Sequence, residues 1–185
     1  MQAVPKRYLV TGGAGFIGSH LCDALVAEGH QVRVLDNLST GRAHNLPPEA
    51  ELVVGDVVDQ DTVAKAFQGV DGCFHLAAVA SVARSIEDWL DTHRSNLDGT
   101  INIFDAARAG HAGSAPLPVV YASSAAVYGD NEALPLTEAA PLNPLTPYGA
   151  DKAGSELHGK AAWNVHGIAN TGLRFFNVYG PRQGP

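Results

Sequence analysis

The stretch Tyr8-Leu9-Val10-Thr11-Gly12-Gly13-Ala14-Gly15-Phe16-Ile17-Gly18 limits what this chain can fold into more than any other. It reads as a short apolar strand, a glycine-rich turn and the first turn of a helix. Gly12, Gly15 and Gly18 stand three apart, and each answers a separate steric demand. Gly12 can take the positive φ of a tight turn leaving a strand. Gly15 has no Cβ, so a pyrophosphate can approach the backbone, and Gly18 lets the helix lie close on the strand. Exposed N–H groups and the positive end of the helix dipole then face the phosphates. Ile17, Leu21 and Leu25 recur every four residues, and Gly29 is the expected helix stop. An ordinary turn would explain the glycines but not these flanks. Dinucleotide binding explains both.

Asp36 ends the next apolar strand, Gln31 to Leu35, eighteen residues beyond Gly18. That register is close to the ~20 residues expected for a ribose-binding acid. A carboxylate there accepts the adenosine ribose hydroxyls and repels a 2′-phosphate, and no Arg follows directly to offset the repulsion. NAD is therefore expected over NADP. Asn37 to Gly41 reads as a loop around the adenosine. Glu51 to Gly55 is a third strand, and Asp56 after it can accept from the adenine amino group while Val57 offers its backbone. Asp59 to Phe67 is expected to be a helix.

Gly72 to Leu76 is a fourth strand running into Ala77-Ala78, small residues against which a cofactor can lie. His75 inside it reads as a satisfied core or edge histidine, not a catalyst. Ser81 to Ser85 reads as a polar loop, and Ile86 to Ala109 as one or two helices with Asn96 in the middle. Val119 to Ala122 is a fifth strand leading into Ser123-Ser124. Pro135, Pro141, Pro144 and Pro147 mark a long loop. Thr146 then caps a helix that has Pro147 at its first position, runs from Tyr148 to about Val165 and closes at Gly167. Thr171 to Phe176 is a sixth strand. Strands and helices in alternation predict an α/β fold with a doubly wound parallel sheet of about six strands.

At 185 residues the chain suits one domain with a sizeable core, and a net charge of −7 argues against a nucleic-acid binder. No apolar run is long enough for a bilayer, and no basic segment with an apolar core opens the chain. Cys22 and Cys73 give neither a metal spacing nor a disulfide framework, and read as core residues of a cytoplasmic protein.

Tyr148 and Lys152 are four apart near a helix start and share one face. A phenol of pKa near ~10 is a poor base at neutral pH. A neighbouring ammonium and a nicotinamide ring both favour the phenolate, so the expectation is a lowered value. With Ser124 at the adjacent strand end, the trio is a hydride-transfer site. Tyrosine moves a hydroxyl proton, serine orients it, and lysine tunes the tyrosine and holds the nicotinamide ribose.

The segments TGGAGFIGSH (Thr11 to His20), DNLSTG (Asp36 to Gly41), HLAA (His75 to Ala78), SSAAVYG (Ser123 to Gly129), YGADK (Tyr148 to Lys152) and RFFNVYGPRQGP (Arg174 to Pro185) together resemble the extended short-chain dehydrogenase/reductase family. Within it, the chain is most similar to the UDP-hexose 4-epimerases. The resemblance implies a Rossmann fold and an NAD site lined by Phe16, Ile17, Asp36, Asn37, Asp56, Val57, Leu76, Ala77, Ala78, Ala80, Asn96, Tyr148, Lys152 and Phe176, around the turn of Gly12, Gly15 and Gly18. It implies that Ser124 and Tyr148 touch the sugar of a UDP-sugar substrate and that Asn177 contacts its phosphates. The loop Ser81 to Ser85 is similar to that of epimerases acting on N-acetylhexosamine nucleotides.

Sugar-nucleotide 4,6-dehydratases usually carry an acid just before Val-Tyr-Gly, where this chain has Ala125-Ala126. Epimerisation needs only oxidation at C4, rotation of the 4-keto sugar and return of the hydride. The expectation is an NAD-dependent isomerase of the UDP-glucose 4-epimerase type. The alternative is an NAD-binding fragment without turnover, or another epimerase or dehydratase of the same family. Residues 1–180 are expected to form the NAD-binding domain and 181–185 the start of a truncated substrate domain. The resemblance also implies a homodimer built from helices within Glu87–Ala109 and Tyr148–Val165.

Overall fold

The computed structural model describes residues 4–110, 115–132 and 134–184, so the extreme ends of the two expected units, 1–3 and 185, lie outside the described residues. Strand β1 (Arg7–Thr11) passes through the glycine turn into helix α1 (Phe16–Ala27), and β2 (Gln31–Asp36) follows. Next come β3 (Glu51–Val54), α2 (Gln60–Ala66) and β4 (Gly72–His75). Helices α3 (Val82–Glu87), α4 (Trp89–His93) and α5 (Gly99–Ala109) are consecutive, the last two joined by a π turn at Arg94–Asp98. Strand β5 (Val119–Ser124) runs into a 3₁₀ turn at Ala125–Tyr128, and α6 (Pro147–His166) and β6 (Asn170–Phe175) complete the order.

All strand pairs are parallel, in the order β3-β2-β1-β4-β5-β6. This is the doubly wound Rossmann order, and its reversal between β1 and β4 opens a crevice at the carboxyl ends of the strands. Central strands of such a sheet have no polar face. Leu9 packs with Leu35, Val63, Ile103 and Phe104 under α2 and α5, while Val10 packs with Cys22 and Val34 under α1. Both cysteines are buried free thiols, and burial pushes the Cys22 thiol up to about 12.

Helix ends follow the local chemistry. The Asp59 carboxylate accepts from the Asp61 and Thr62 N–H groups, and the Thr146 hydroxyl accepts from the Gly149 N–H at 3.1 Å. Pro147 takes the first position of α6, and Gly167 ends it in the left-handed region. Two expectations are corrected. Ser81 to Ser85 is not a polar loop: Ser81 caps α3 by accepting from the Arg84 N–H, and Ser85 is fully buried in that helix. Ser123 and Ser124 belong to β5, because their backbones stay in register with Arg174 and Phe175 of β6.

Candidate active site

The glycine turn is built by backbone contacts. Gly12 has φ +68°, its N–H donates to the Leu35 carbonyl at 2.9 Å, and a Cβ on it would stand 2.7 Å from the Ala77 nitrogen. A Cβ on Gly18 would run into the Gly12 carbonyl oxygen and lie 2.7 Å from the Gly13 Cα. The close approach at Gly18 is therefore to the turn itself, not to the strand. A Cβ on Gly15 would meet only the Gly12 oxygen, at 3.2 Å. That open side belongs to a cavity of about 900 Å³ running along the strand ends. A cradle left open at one glycine, at the start of a helix, fits the phosphates of a dinucleotide.

The cavity brings together Gly12, Gly15, Phe16, Ile17, Gly18, Asp36, Asn37, Asp56, Val57, Leu76, Ala77, Ala78, Ala80, Ser124, Tyr148, Lys152, Phe176 and Asn177. Asp36 is nearly buried, with one carboxylate oxygen accepting from the Ala14 N–H at 2.9 Å and the other from the Leu38 N–H at 2.8 Å. Each oxygen keeps a second lone pair for a ribose hydroxyl. Asn37 donates to the Asp56 carboxylate at 2.7 Å, which ties the two loops at the adenosine end. The Val57 carbonyl already accepts from Asn102 at 3.0 Å.

Asn96 is a correction, since it is fully buried and stands behind the cavity wall. Its side-chain oxygen accepts from the Val79 N–H at 2.8 Å and its amide donates to the Val79 carbonyl at 3.2 Å. The π turn thus holds the segment after β4 by its main chain. His75 supports the same wall. Thr100 donates to the Asn96 carbonyl at 2.6 Å, so it must accept from the His75 Nε2–H, which lies 3.1 Å away. Nδ1 is then an acceptor, filled by the Thr11 hydroxyl at 2.7 Å, and Thr11 in turn accepts from the Ala77 N–H. Burial first, and the Lys152 charge second, push His75 down to about 3. It is a neutral core histidine, as the sequence suggests.

At the other end, Ser124 accepts from the Ala126 N–H at 3.1 Å and hydrogen-bonds the Tyr148 phenol. The Ser85 hydroxyl accepts the Tyr148 N–H at 3.2 Å, so the misread loop fixes the start of the helix that carries the tyrosine. Lys152 is buried, donates to the Ala122 carbonyl at 2.9 Å, and sits 5.9 Å from the Tyr148 ring centroid. The expected lowering of Tyr148 is not what this geometry gives. Burial raises the phenol above its ordinary value, and the Ser124 hydrogen bond opposes that. Burial also brings Lys152 down to about 8, against the Asp151 charge.

The cavity is further lined by Ser39, Thr40, Ser123, Val178, Tyr179 and Gln183, which lie within the motif segments but carry no assigned role there, and by Val79 and Ala122, which lie outside them.

The NAD dependent epimerase/dehydratase family matches residues 8–185. A UDP-glucose 4-epimerase of Mycolicibacterium smegmatis is 42% identical over 186 residues, covering 97% of this chain and 58% of that protein. A UDP-N-acetylglucosamine 4-epimerase structure from Methanobrevibacter ruminantium is 38% identical with TM-score 0.91, covering 98% of this chain and 58% of the other. A Thermus thermophilus UDP-glucose 4-epimerase solved with NAD is 40% identical with TM-score 0.89, at 97% and 58% coverage. A dTDP-glucose 4,6-dehydratase from Streptomyces venezuelae is 38% identical with TM-score 0.88, also at 97% and 58%. This chain therefore spans a little over half the length of the proteins it matches. With nearly the whole chain matched and the glycine turn, Asp36 and the Ser124, Tyr148 and Lys152 cluster meeting in one cavity, the chain belongs to the NAD dependent epimerase/dehydratase family.

Proposed function

We propose that this chain is the NAD-binding part of a nucleotide-sugar 4-epimerase of the UDP-glucose type. The observation that carries the reading is the lining at the catalytic end. Ser124, Tyr148 and Lys152 meet there, and the neighbouring positions are Ala125 and Ala126. An elimination needs a further acid or base beside the tyrosine, and alanine can move no proton. Reversible oxidation at one carbon needs only the trio.

Gly12, Gly15 and Gly18 with the start of α1 would hold the pyrophosphate, Asp36 the adenosine ribose, and Asp56 and Val57 the adenine. Lys152 would hold the nicotinamide ribose. NAD, when bound, supplies the hydride acceptor and donor. Tyr148 exchanges the sugar hydroxyl proton at its phenolic oxygen, and Ser124 orients that hydroxyl. Lys152, as an ammonium, favours the phenolate. Asn177 would contact the sugar-nucleotide phosphates. Residues 1–180 form the NAD-binding domain in this reading, and 181–185 open a substrate domain of the kind the longer relatives leave room for.

The two buried thiols suit a reducing cytoplasm, and no helix among the described residues is long and apolar enough to cross a membrane. The proposed assembly is a homodimer. Leu90, Leu97, Ile101, Gly154, Leu157, Ala161 and Val165 recur at helical spacing on α4, α5, the π turn and α6, and Leu90, Leu157 and Val165 are 60%, 65% and 73% exposed. A Cβ on Gly154 would stand 3.2 Å from Leu97, so the two helical stretches meet along this face.

The test has two arms. Calorimetric titration with NAD and NADP should show a clear preference for NAD, and equal affinity would overturn the role of Asp36. Incubation of a full-length parent with UDP-glucose, UDP-N-acetylglucosamine and dTDP-glucose, read by NMR, should give only C4 epimers, whereas this chain alone should bind NAD with little or no turnover. A 4-keto-6-deoxy product would overturn the epimerase reading. NAD binding without turnover by that parent would support the binding-fragment alternative.

A further inference from the structure

Strand β6 ends at an edge of the sheet, three places from β1 in the strand order. Neighbouring strands lie ~4.8 Å apart, so about 14 Å of sheet separates β6 from β1. The chain crosses that distance directly after Phe175, because the next segment is fastened to α1. His20 Nε2 donates to the Pro181 carbonyl at 3.0 Å, and the Arg182 guanidinium bonds the Asp23 carboxylate at 2.8 Å. The path runs over the carboxyl ends of β5 and β4, and Asn177, Val178, Tyr179 and Gln183 line the cofactor cavity together with Gly15 and Phe16. The seat of the segment is the phosphate-facing turn of α1. A Cβ on Gly180 would stand 3.5 Å from the Phe16 ring, and that ring meets the His20 ring edge-on, with centroids 5.8 Å apart. Apolar packing holds the segment weakly, since Phe176 and Tyr179 are 63% and 88% exposed. Among the described residues, the side-chain hydrogen bonds and ion pairs that reach it are the two on α1. The local backbone agrees. Gln183 N–H closes a turn on the Gly180 carbonyl at 3.4 Å, with Pro181 and Arg182 in the centre. Pro suits the first central place, but the second has φ +66°, where Gly or Asn is favoured. What Arg182 contributes in that conformation is its bond to Asp23.

We propose that His20 and Asp23 are positioning residues for the cofactor: they latch residues 176–183 across the NAD cavity and so set how fast NAD leaves. Both act through the segment they hold, His20 through the Pro181 carbonyl and Asp23 through the Arg182 side chain. A ligand beneath such a cover departs only when the cover lifts, so release follows the opening of the latch. The adenosine end of the cavity, at Asp36 and Asp56, follows β2 and β3 on the far side of β1. It lies outside the reach of the segment. The latch therefore acts on the nicotinamide and phosphate end, and a ligand confined to the adenosine end should not sense it.

The inference rests on NAD occupying this cavity. Bound NADH, displaced by excess NAD and followed by stopped-flow fluorescence, gives the dissociation rate. His20→Ala and Asp23→Asn should each raise that rate about threefold, and the double variant about tenfold. Affinity for adenosine, read by NMR, and the thermal midpoint without cofactor should stay as in the unmodified chain. A merely structural role for the two residues would move both. Glu28→Gln, which removes an exposed charge just past the end of α1, should leave the rate in place. Hydrogen exchange of the amides of 176–183 should quicken in the double variant with no cofactor present. Unchanged NADH release, or unchanged exchange, in a folded double variant overturns the latch while the cofactor site stands. Faster release matched by an equal loss of adenosine affinity would show that α1 as a whole is disturbed, and overturns it too. A chain that binds no NADH fails the cofactor reading itself, and the latch with it.

Discussion

His75 joins the sheet to the cofactor wall through both ring nitrogens, and that arrangement works only for the neutral ring. Its protonation would turn the Nδ1 acceptor into a donor facing Thr11, inside a region without solvent. In the unfolded chain the same histidine takes up a proton near 6.5, whereas burial lowers it to about 3 in the folded protein. Below about pH 6.5 the unfolded state therefore binds more protons, and this residue subtracts stability as the pH falls toward 3. A full proton difference corresponds to about 1.4 kcal/mol per pH unit. The expected outcome is that His75→Gln, whatever its stability at pH 7.5, shows a shallower loss between pH 6 and 4 when urea unfolding is followed. Parallel profiles for the two proteins would show that His75 contributes nothing to acid lability.

At the scale of elements, the end of β5, the end of β6 and the middle of α6 are locked by one ion-paired network. Arg174 donates from Nε to one Glu156 oxygen at 2.8 Å and from a terminal nitrogen to the other at 2.7 Å. Its remaining nitrogen reaches the Tyr128 hydroxyl at 2.8 Å and the Glu138 carbonyl at 2.9 Å, so the 3₁₀ turn behind Ser124 and the long proline-rich loop hang on the same guanidinium. Burial alone would raise Glu156, but the bonds from Arg174 and Ser123 outweigh it and hold the carboxyl below its usual range. Removing one partner of a buried pair strands the other, which costs ~3–5 kcal/mol. Arg174→Met should fall near the low end, since the pair is 20% and 15% exposed. Adding Glu156→Met should recover part of the loss in a double-mutant cycle read by chemical denaturation. Simple additivity would mean that the two residues act independently.

The elements differ in how visible they were in the sequence. The glycine turn, the Thr146–Pro147 start of α6 and its Gly167 stop are local chemistry, and composition shows them. The register of Ser123 and Ser124 with β6 is set by a strand about fifty residues away, so the apolar run alone ends the expected strand at Ala122, two residues early. Ser81 looked like a loop residue for the same reason that makes it a helix cap: its hydroxyl competes for backbone N–H groups. The family resemblance puts Asn96 in the lining of the NAD site, but its partner is the backbone of Val79, which no residue pattern encodes. For Tyr148 the spacing reveals a neighbouring lysine but not how deeply both are buried, and that burial is what raises the phenol.

For the whole molecule, the proposed dimer sets surface chemistry against net charge. Two copies each carrying −7 repel one another, so association must come from apolar contact. The exposed face along α4, the π turn, α5 and α6 offers that contact, with a shallow groove of about 160 Å³ lined in part by Ile101, Ala161 and Val165. Charges at its margin are already paired within their own helices, Arg94 with Asp91 at 3.1 Å and Arg108 with Asp105 at 2.6 Å. They leave little need for ion pairs across an interface, and a two-fold arrangement would place the same apolar residues against each other. Salt should therefore tighten the dimer: at ~0.15 M the screening length is about 8 Å, against about 30 Å at 0.01 M, so repulsion fades while apolar burial remains. Sedimentation velocity should show dimer rising with salt and protein concentration. Leu157→Glu, at a position 65% exposed in the single chain, should leave the thermal midpoint nearly unchanged and give monomer at every salt concentration. A dimer that loosens as salt is added would mean that charge holds it, and a Leu157→Glu protein that still dimerises would place the interface elsewhere.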